Sequence, residues 1–450
     1  MFDVQIVPIN EFIENDFKPY VQYDNERSIP SAVDGLKMSQ RKVIYTVMKE
    51  IKEGESVKVN NLASFTSSKT HYQHGESSLI ESVIGLAQDF AGANNYPLLQ
   101  KEGQFGTAID NRATDGRYIF VRRTTAIDEM FDEDDLSIIN YKETDGDEIE
   151  PDFFLPKLPL ILINGGFGIG FGYSSNILPR NILNIKKAIA AYLTSPEKEI
   201  PEKFMIPSFN GFKGTVVQAK DPKQFIITGV IERNNQTTTT ITDLPPFSPF
   251  QYEKYKQRVL LPLLTSKKIV SFDDESTEGN WKIIIRHSRE FGKQTIDKLH
   301  SIFKLNSSFT ENINVWGFDN CIKSFDSATD LLKYWIEERL WWIQVRKNYK
   351  LELLEYHVHW YESLIKYIKF WLANPELLKK KRPEIESELR NIVDNDALIK
   401  RFLESDILAL TDERIERVQK LLQKAQSEYN ELEKKTPEFL LAADIESVKV

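Results

Sequence analysis

Apolar residues recur along this chain with more than one period, and the changes of period divide it. Between Ser31 and about Asp89 the spacing is helical: Val43, Ile44, Val47 and Met48 form one stripe, and Leu79, Val83, Leu86 and Ala87 form another. Residues 91–123 hold turn formers and two short apolar runs, and end in the strand-like RYIFV from Arg117 to Val121. Helices followed by a small hairpin suit a winged-helix module. The first 30 residues, with Pro8, Pro19 and Pro30, follow no period and read as an arm. The acidic stretch 132–150 reads as a loop or extended segment, and LPLILING (Leu158–Gly165) as a short buried strand entering a glycine-rich loop.

Further on, GTVVQ, QFIITGVI, TTTTITDL and WKIIIR alternate strands with turns across residues 181–315. From about Asp326 to Ala373 the pattern is helical, with Ile336, Leu340 and Ile343, then Leu354, Val358, Tyr361, Ile365, Ile368 and Leu372, at steps of three and four. After a short charged helical segment (375–405), Ile415, Val418, Leu422, Ala425, Tyr429 and Leu432 repeat that spacing. Two heptad helices with a small unit between them predict an antiparallel coiled coil with a knob at its far end. The fold class is therefore α+β.

Composition changes the picture little. At 450 residues and 41% apolar, the chain is expected to form two to four globular domains. No apolar run approaches the ~18–20 residues of a membrane span. The N-terminus lacks the basic and apolar regions of a secretory signal, and the single cysteine, Cys321, supports neither a disulfide framework nor a thiolate metal site. A cytoplasmic protein without a membrane partner is expected. Charge matters more. The net charge is −9, yet residues 27–69 carry eight bases against four acids, and residues 132–150 nine acids against one lysine. A basic patch on an acidic body can steer DNA to one face.

Several motifs fail on inspection. GGFGIGFG (165–172) spaces its glycines like a dinucleotide loop, but no helix opens directly behind it. Gly292-Lys293-Gln294-Thr295 lacks the upstream glycine of a P-loop, so no ATP site is expected on this chain. The acid clusters Asp132–Asp135 and Asp273–Glu275 read as solvated faces rather than cation sites. His357 and His359, two apart on a helix, face apart. No metal site is expected here.

Four segments carry a resemblance: Asp24–Tyr45 (DNERSIPSAVDGLKMSQRKVIY), Tyr72–Leu79 (YQHGESSL), Gly103–Phe120 (GQFGTAIDNRATDGRYIF) and Leu162–Gly172 (LINGGFGIGFG). In that order and spacing they resemble the breakage-reunion core of type IIA DNA topoisomerases, the gyrase A-like part. Leu410–Glu446 is similar to the segment that closes the coiled coil in the eukaryotic enzymes. The wording is nearer the eukaryotic than the gyrase form, while ATPase and TOPRIM regions are not seen. That combination resembles the separate medium subunit of T-even bacteriophage topoisomerases, which implies a host-cell cytoplasmic location. The resemblance implies an arm (1–26), a winged-helix domain with the catalytic tyrosine (27–155) and an α/β tower (156–320). It also implies a first coiled-coil helix (321–374), a small helical dimer gate (375–405) and a returning helix with tail (406–450).

It also implies roles. Tyr118 would be the nucleophile, giving a 5′-phosphotyrosyl break, and Arg117 would supply a cation at the scissile phosphate. His74 would hydrogen-bond a phosphate oxygen or the 3′ leaving group. Arg27, Lys37, Arg41 and Lys42 would contact the DNA backbone, and Ser77 would bring a helix N-terminus to phosphate. Ile169 would wedge between base pairs, with Asn164 shaping its loop. Without the resemblance each has a plainer reading: a core tyrosine, a turn histidine, an N-cap serine, a solvated cationic face, a buried isoleucine. Where eukaryotic members carry a second histidine, this chain has Gln73.

Neither an EGDS nor a paired DxD element occurs in suitable context, so Mg²⁺ is expected on a TOPRIM partner and ATP on an ATPase partner. The other partners are double-stranded DNA and a second copy, joined through the winged-helix region and the C-terminal gate. Relaxation, decatenation and unknotting are expected. Supercoiling is not, because no DNA-wrapping region follows the coiled coil. The competing classes are an architectural DNA-bending dimer, which needs no Tyr118, and a Spo11-like break-forming protein that does not reseal.

Overall fold

The computed structural model describes residues 7–246, 252–277, 279–376, 380–393, 395–404 and 411–449. It comprises two compact units, Met1–Arg339 with Ala442–Val450, and Leu340–Leu441.

The first unit departs from the aperiodic reading near its start: from Ile9 onward the arm is helical. Ile9–Phe12, a π-helical turn Ile13–Phe17 and α1 (Lys18–Ser28) follow without a break. Pro19 sits in the first turn of α1, where its missing N–H is tolerated, and the wide π-turn lies directly before it. Then come α2 (Met38–Glu50), β1 (Ser56–Lys58), α3 (Val59–Lys69), α4 (Glu76–Ala87), β2 (Leu99–Glu102) and β3 (Phe120–Arg123). The strands form an antiparallel sheet in the order β1-β3-β2, with Val121 opposite both Val57 and Lys101. The predicted stripes face inward: Val43, Ile44 and Val47 on α2 and Leu79, Val83 and Leu86 on α4 are buried. The helices and small sheet match the winged-helix expectation.

The acidic segment is more ordered than a loop. A turn of helix, Glu133–Leu136, leads to a hairpin of Tyr141–Thr144 and Asp147–Pro151. Its Asp145-Gly146 corner has positive φ at both residues, as a two-residue hairpin turn requires. The predicted strand at 158–165 is instead a helical turn, Leu160–Ile163, buried on all sides. A four-residue apolar run does not distinguish the two by periodicity. It leads into an antiparallel hairpin of Gly166–Ile169 and Ser174–Ile177.

Beyond it, Ile182–Thr194 is a helix where alternating strands were expected. Asn181 caps it, accepting from the N–H groups of Leu183 and Asn184, and Ile185, Ala188, Ile189 and Tyr192 are buried along one face. The predicted strands do form. Val230–Arg233, Thr238–Asp243, Ile283–Arg286 and Ser271–Asp274 make a four-stranded antiparallel sheet, and Asn306–Thr310, Gln224–Thr228 and Thr215–Gln218 a three-stranded one. The larger sheet backs a core of Ile241, Ile283, Ile285, Leu299 and Phe303.

In the second unit, the later part of the helix Ala328–Ala373 pairs with Asp412–Lys434. Lys347 Nζ donates to the carbonyls of Glu433 and Lys435, and Gln426 Nε2 to Glu362, so residue numbers rise on one helix as they fall on the other. This is the antiparallel pair that the heptads predict. Leu364, Ile365 and Ile368 share a core with Ile415 and Val418, and with Ile385, Leu398 and Phe402 from the two short helices Arg382–Leu389 and Asp396–Leu403. The stripe departs from expectation at its end: Leu372 is exposed and Trp371 takes the buried position. Parts of the expected gate and returning helix, residues 377–379, 394 and 405–410, lie outside the described residues.

Candidate active site

Tyr118 lies in a turn before β3, not in a strand. The turn is made by Asp115, whose carboxylate accepts the Arg117 N–H (3.0 Å) and whose carbonyl accepts the Tyr118 N–H (3.0 Å). It is seated on the start of α3. The N–H groups of Val59 and Asn60, which no earlier helical turn can satisfy, donate to the carbonyls of Ile119 (3.1 Å) and Gly116 (3.3 Å). The chain is thus held from below while Ile119 points inward (2% exposed) and Tyr118 outward (70%). Tyr118 is therefore not a core aromatic. Its hydroxyl meets no hydrogen-bond partner among the described residues.

Arg117 is exposed beside it. Its Nε lies 3.1 Å from Asp115 Oδ1, which orients the guanidinium without enclosing it. The Arg117 backbone N–H, followed by its guanidinium, holds the Asp115 carboxyl below its ordinary range.

His74 sits in the turn before α4, half-buried between two tyrosines. Tyr23 of α1 stacks on it at 6.1 Å between centroids, and the Tyr72 ring meets it edge-on at 5.4 Å. Tyr23 Oη lies 2.7 Å from His74 Nε2. Burial lowers the imidazole below its ordinary value, and the positive charge of Arg27 acts in the same direction. Ser77 is the second residue of α4, whose N-cap is Gly75, so its exposed hydroxyl is not the cap.

The four predicted DNA-contacting cations divide in two. Arg27 and Lys37 are half-buried and line an open groove of about 760 Å³ together with Gln40, Ser82, Asn164 and Ile169. Arg41 and Lys42 point the other way, which corrects the expectation for them. Arg41 (3% exposed) makes a two-point ion pair with Asp34, at 2.7 and 3.1 Å. Lys42 (6%) donates to Glu150 and to the carbonyl of Thr70, both at 2.8 Å. A buried charge needs such partners, and both cations are engaged inside the protein, where they hold α2.

The hairpin after Asn164 presents Ile169, 68% exposed, with Phe167 (61%) and Phe171 (47%) also exposed. Gly168 and Gly170 alternate with these and face the protein. A Cβ on Gly168 would lie 2.3 Å from the Ser28 carbonyl oxygen, and one on Gly170 2.3 Å from Asn25 Oδ1. Strand alternation thus sends glycine inward and the large apolar residues outward. The glycines serve the packing of the hairpin on residues 25–30. Asn164 is a brace: its Oδ1 accepts the Tyr96 N–H (2.7 Å) and its Nδ2 donates to the Tyr96 carbonyl (2.9 Å).

The structure therefore gathers Arg27, Lys37, Asn164 and Ile169 on one groove. Tyr118 and Arg117 stand on a separate turn and make no hydrogen bond to His74. Sequence reasoning missed Tyr23, which no local pattern marks, and Asp115, whose place two residues before Arg117 was the available signal. Among the described residues no three His, Cys, Asp or Glu side chains converge to hold a metal ion. The acid clusters are engaged otherwise: Asp132 caps the helical turn 133–136, Asp135 pairs with buried Arg339, Asp273 with Arg286 and Glu275 with Lys282.

Comparison with known proteins places this architecture. The family model for the DNA gyrase/topoisomerase IV A-subunit matches residues 27–446. Human DNA topoisomerase 2-alpha is 36% identical over 355 residues, 77% of this chain and 23% of that protein. The mitochondrial DNA topoisomerase 2 of Dictyostelium discoideum is 29% identical over 456 residues, 98% of this chain and 35% of that protein. The chain thus spans between 23% and 35% of these curated relatives. The crystal structure of the Plasmodium falciparum topoisomerase II DNA-binding, cleavage and re-ligation domain matches with a TM-score of 0.83 and 30% identity, covering 97% of this chain and 63% of that one. With the family model running from Arg27 to Glu446, the chain belongs to the DNA gyrase/topoisomerase IV A-subunit family.

Proposed function

We propose that this chain is the DNA-cleaving and resealing part of an ATP-dependent type IIA DNA topoisomerase. The observation that carries the reading is Tyr118: a phenol on a rigid turn, 70% exposed, with a cation beside it. Its oxygen attacks a backbone phosphorus, forming a phosphotyrosyl ester as the P–O3′ bond breaks. The phenolic proton is released and the departing 3′ oxygen takes one up. The ester conserves the energy of the phosphodiester, so the reverse attack reseals the strand without an external source of energy. Arg117 offsets charge that develops on the phosphate, and His74 hydrogen-bonds a phosphate oxygen or the 3′ oxygen. Arg27, Lys37 and the start of α4 at Ser77 hold the backbone. Ile169 enters the minor groove and bends the duplex, on a hairpin braced by Asn164.

Two copies, joined through the winged-helix region and the gate, cut opposite strands of one duplex, and a second duplex passes through. The result is relaxation, decatenation and unknotting. Mg²⁺ and ATP are bound by TOPRIM and ATPase regions on the partner. The reading extends to a cytoplasmic enzyme whose kinship lies with the T-even bacteriophage medium subunit.

The test is a denaturing trap. Plasmid, Mg²⁺ and a TOPRIM/ATPase partner are mixed with this chain and quenched with detergent, comparing wild type with Tyr118→Phe. Protein attached to 5′ ends in the wild type alone is the expected result. Bound but uncut DNA, identical in both, overturns it and leaves an architectural DNA-bending protein.

A further inference from the structure

The phenol of Tyr23 reaches His74 from a different part of the chain and engages only one of its two ring nitrogens. Tyr23 and Arg27 are four residues apart on α1, so one helix face presents both towards the turn that holds His74. Tyr23 Oη is 2.7 Å from Nε2, while Nδ1 meets no hydrogen-bond partner among the described residues. Stacking by Tyr23 on one side and the Tyr72 edge on another fix the ring plane. The Tyr72 hydroxyl is spent elsewhere, donating to Ser78 Oγ at 3.2 Å.

A neutral imidazole carries one proton, and its two nitrogens are a donor and an acceptor. A phenol, with a pKa near ~10, is a better donor than acceptor, whereas an unprotonated imidazole nitrogen is a strong acceptor. The 2.7 Å contact is therefore best satisfied with the Tyr23 O–H donating to Nε2. That places the ring proton on Nδ1. The charges around the pair favour the same neutral state. Arg27 disfavours a second proton on the ring, and Glu26, the nearby acid, is itself held by Lys142 at 2.6 Å.

We propose that Tyr23 is the positioning residue of His74: its phenol, donating to Nε2, holds the imidazole as the Nδ1–H tautomer and makes Nδ1 the donor offered to DNA. This rests on the reading of His74 as a DNA-facing group. Tyr23, one residue before the first of the four motifs, thereby becomes part of the cleavage site. A donor, and not a base, is then what His74 brings to a phosphate or 3′ oxygen.

The test separates the two claims. The full chain is labelled with ¹⁵N-histidine and examined without DNA by long-range proton–nitrogen correlation, with His74→Gln identifying the signal among the six histidines. The wild type is expected to show a protonated Nδ1 and a bare Nε2. Tyr23→Phe is expected to move the population towards the Nε2–H form that free histidine prefers. Tyr72→Phe, which keeps the ring edge, is expected to leave the tautomer unchanged. In the assembled enzyme, Tyr23→Phe is expected to slow cleavage roughly three- to tenfold, about the worth of one hydrogen bond, at unchanged KM for DNA. An Nε2–H wild type, an unchanged tautomer in Tyr23→Phe, or an equal shift in Tyr72→Phe overturns the proposal. Unaltered cleavage by His74→Gln overturns instead the DNA-facing role of His74, while the tautomer measurement still decides what Tyr23 does.

Discussion

The turn carrying Tyr118 and the hairpin carrying Ile169 solve one problem by opposite means. Each must hold a large side chain out in solvent on a base that does not yield. The hairpin does so by steric closeness: glycines at alternate positions bring its backbone against residues 25–30, and the obstacle to any added atom on Gly168 is a backbone carbonyl. The turn does so by hydrogen bonds: an aspartate and the free N–H groups of a helix start grip a short loop, and the tightest obstacle at its Gly116 is the end of the Asn60 side chain, 2.4 Å away. Packing against backbone tolerates no substitution, whereas a hydrogen-bonded turn can lose one tie and keep the rest. The hairpin is therefore the less forgiving of the two.

That contrast is open to direct attack. The largest effect is expected for Gly168→Ala. Its Cβ cannot fit 2.3 Å from the Ser28 oxygen unless the hairpin lifts, which places the cost at the top of the overpacking range, about 3 kcal/mol. Denaturant unfolding followed by a probe in the first unit would show it, and DNA bending should be lost with it. Next comes Asn164→Ala, which strips the two bonds to the Tyr96 backbone and leaves half-buried groups unsatisfied, for about 2 kcal/mol. Gly116→Ala should cost less, about 1 kcal/mol, because the Asn60 side chain can swing away. If Gly116→Ala proves as damaging as Gly168→Ala, the two bases do not differ as argued.

How much of this was legible in the sequence depended on whether the information was local. The heptad stripes, the helix at 76–87 and the antiparallel pair follow from period alone, whereas the exposed place of Ile169 between glycines was implied only by the family resemblance. The direction in which those glycines work was not legible, because it depends on residues 25–30, more than 130 positions away in the chain. Arg41 and Lys42 show that charge alone does not reveal direction, and Lys42 shows the limit of distance as well. They stand in a basic segment and carry the charge a DNA contact needs, yet Asp34 and Glu150 draw them inward. Lys42 meets an acid 108 residues away, which spacing cannot reveal. Tyr23 escaped notice for the same reason, since its partner lies 51 residues on. The four-residue Leu160–Ile163 run, too short to show a period, was settled by burial on every side.

The smallest effect concerns the turn's own polar tie. The Asp115 carboxyl is held below its ordinary value, chiefly by the Arg117 N–H it accepts. A depressed carboxyl stabilises the folded turn at every pH above its unfolded value, and that contribution fades only as pH falls through the lower folded value. From neutrality down to about 4, where an unperturbed aspartate titrates, the Arg117 side chain should therefore keep one environment. Below that it should loosen. The Nε chemical shift of Arg117, followed against pH, should be flat and then move in the wild type. In Asp115→Asn, which keeps an acceptor but removes the charge, it should be flat throughout. Cleavage by that variant at neutral pH should fall only a few-fold, since the helix-start bonds from Val59 and Asn60 still seat the turn. A collapse of cleavage comparable to Tyr118→Phe would mean that the Asp115 charge is needed to aim the guanidinium, and that the turn is no more forgiving than the hairpin.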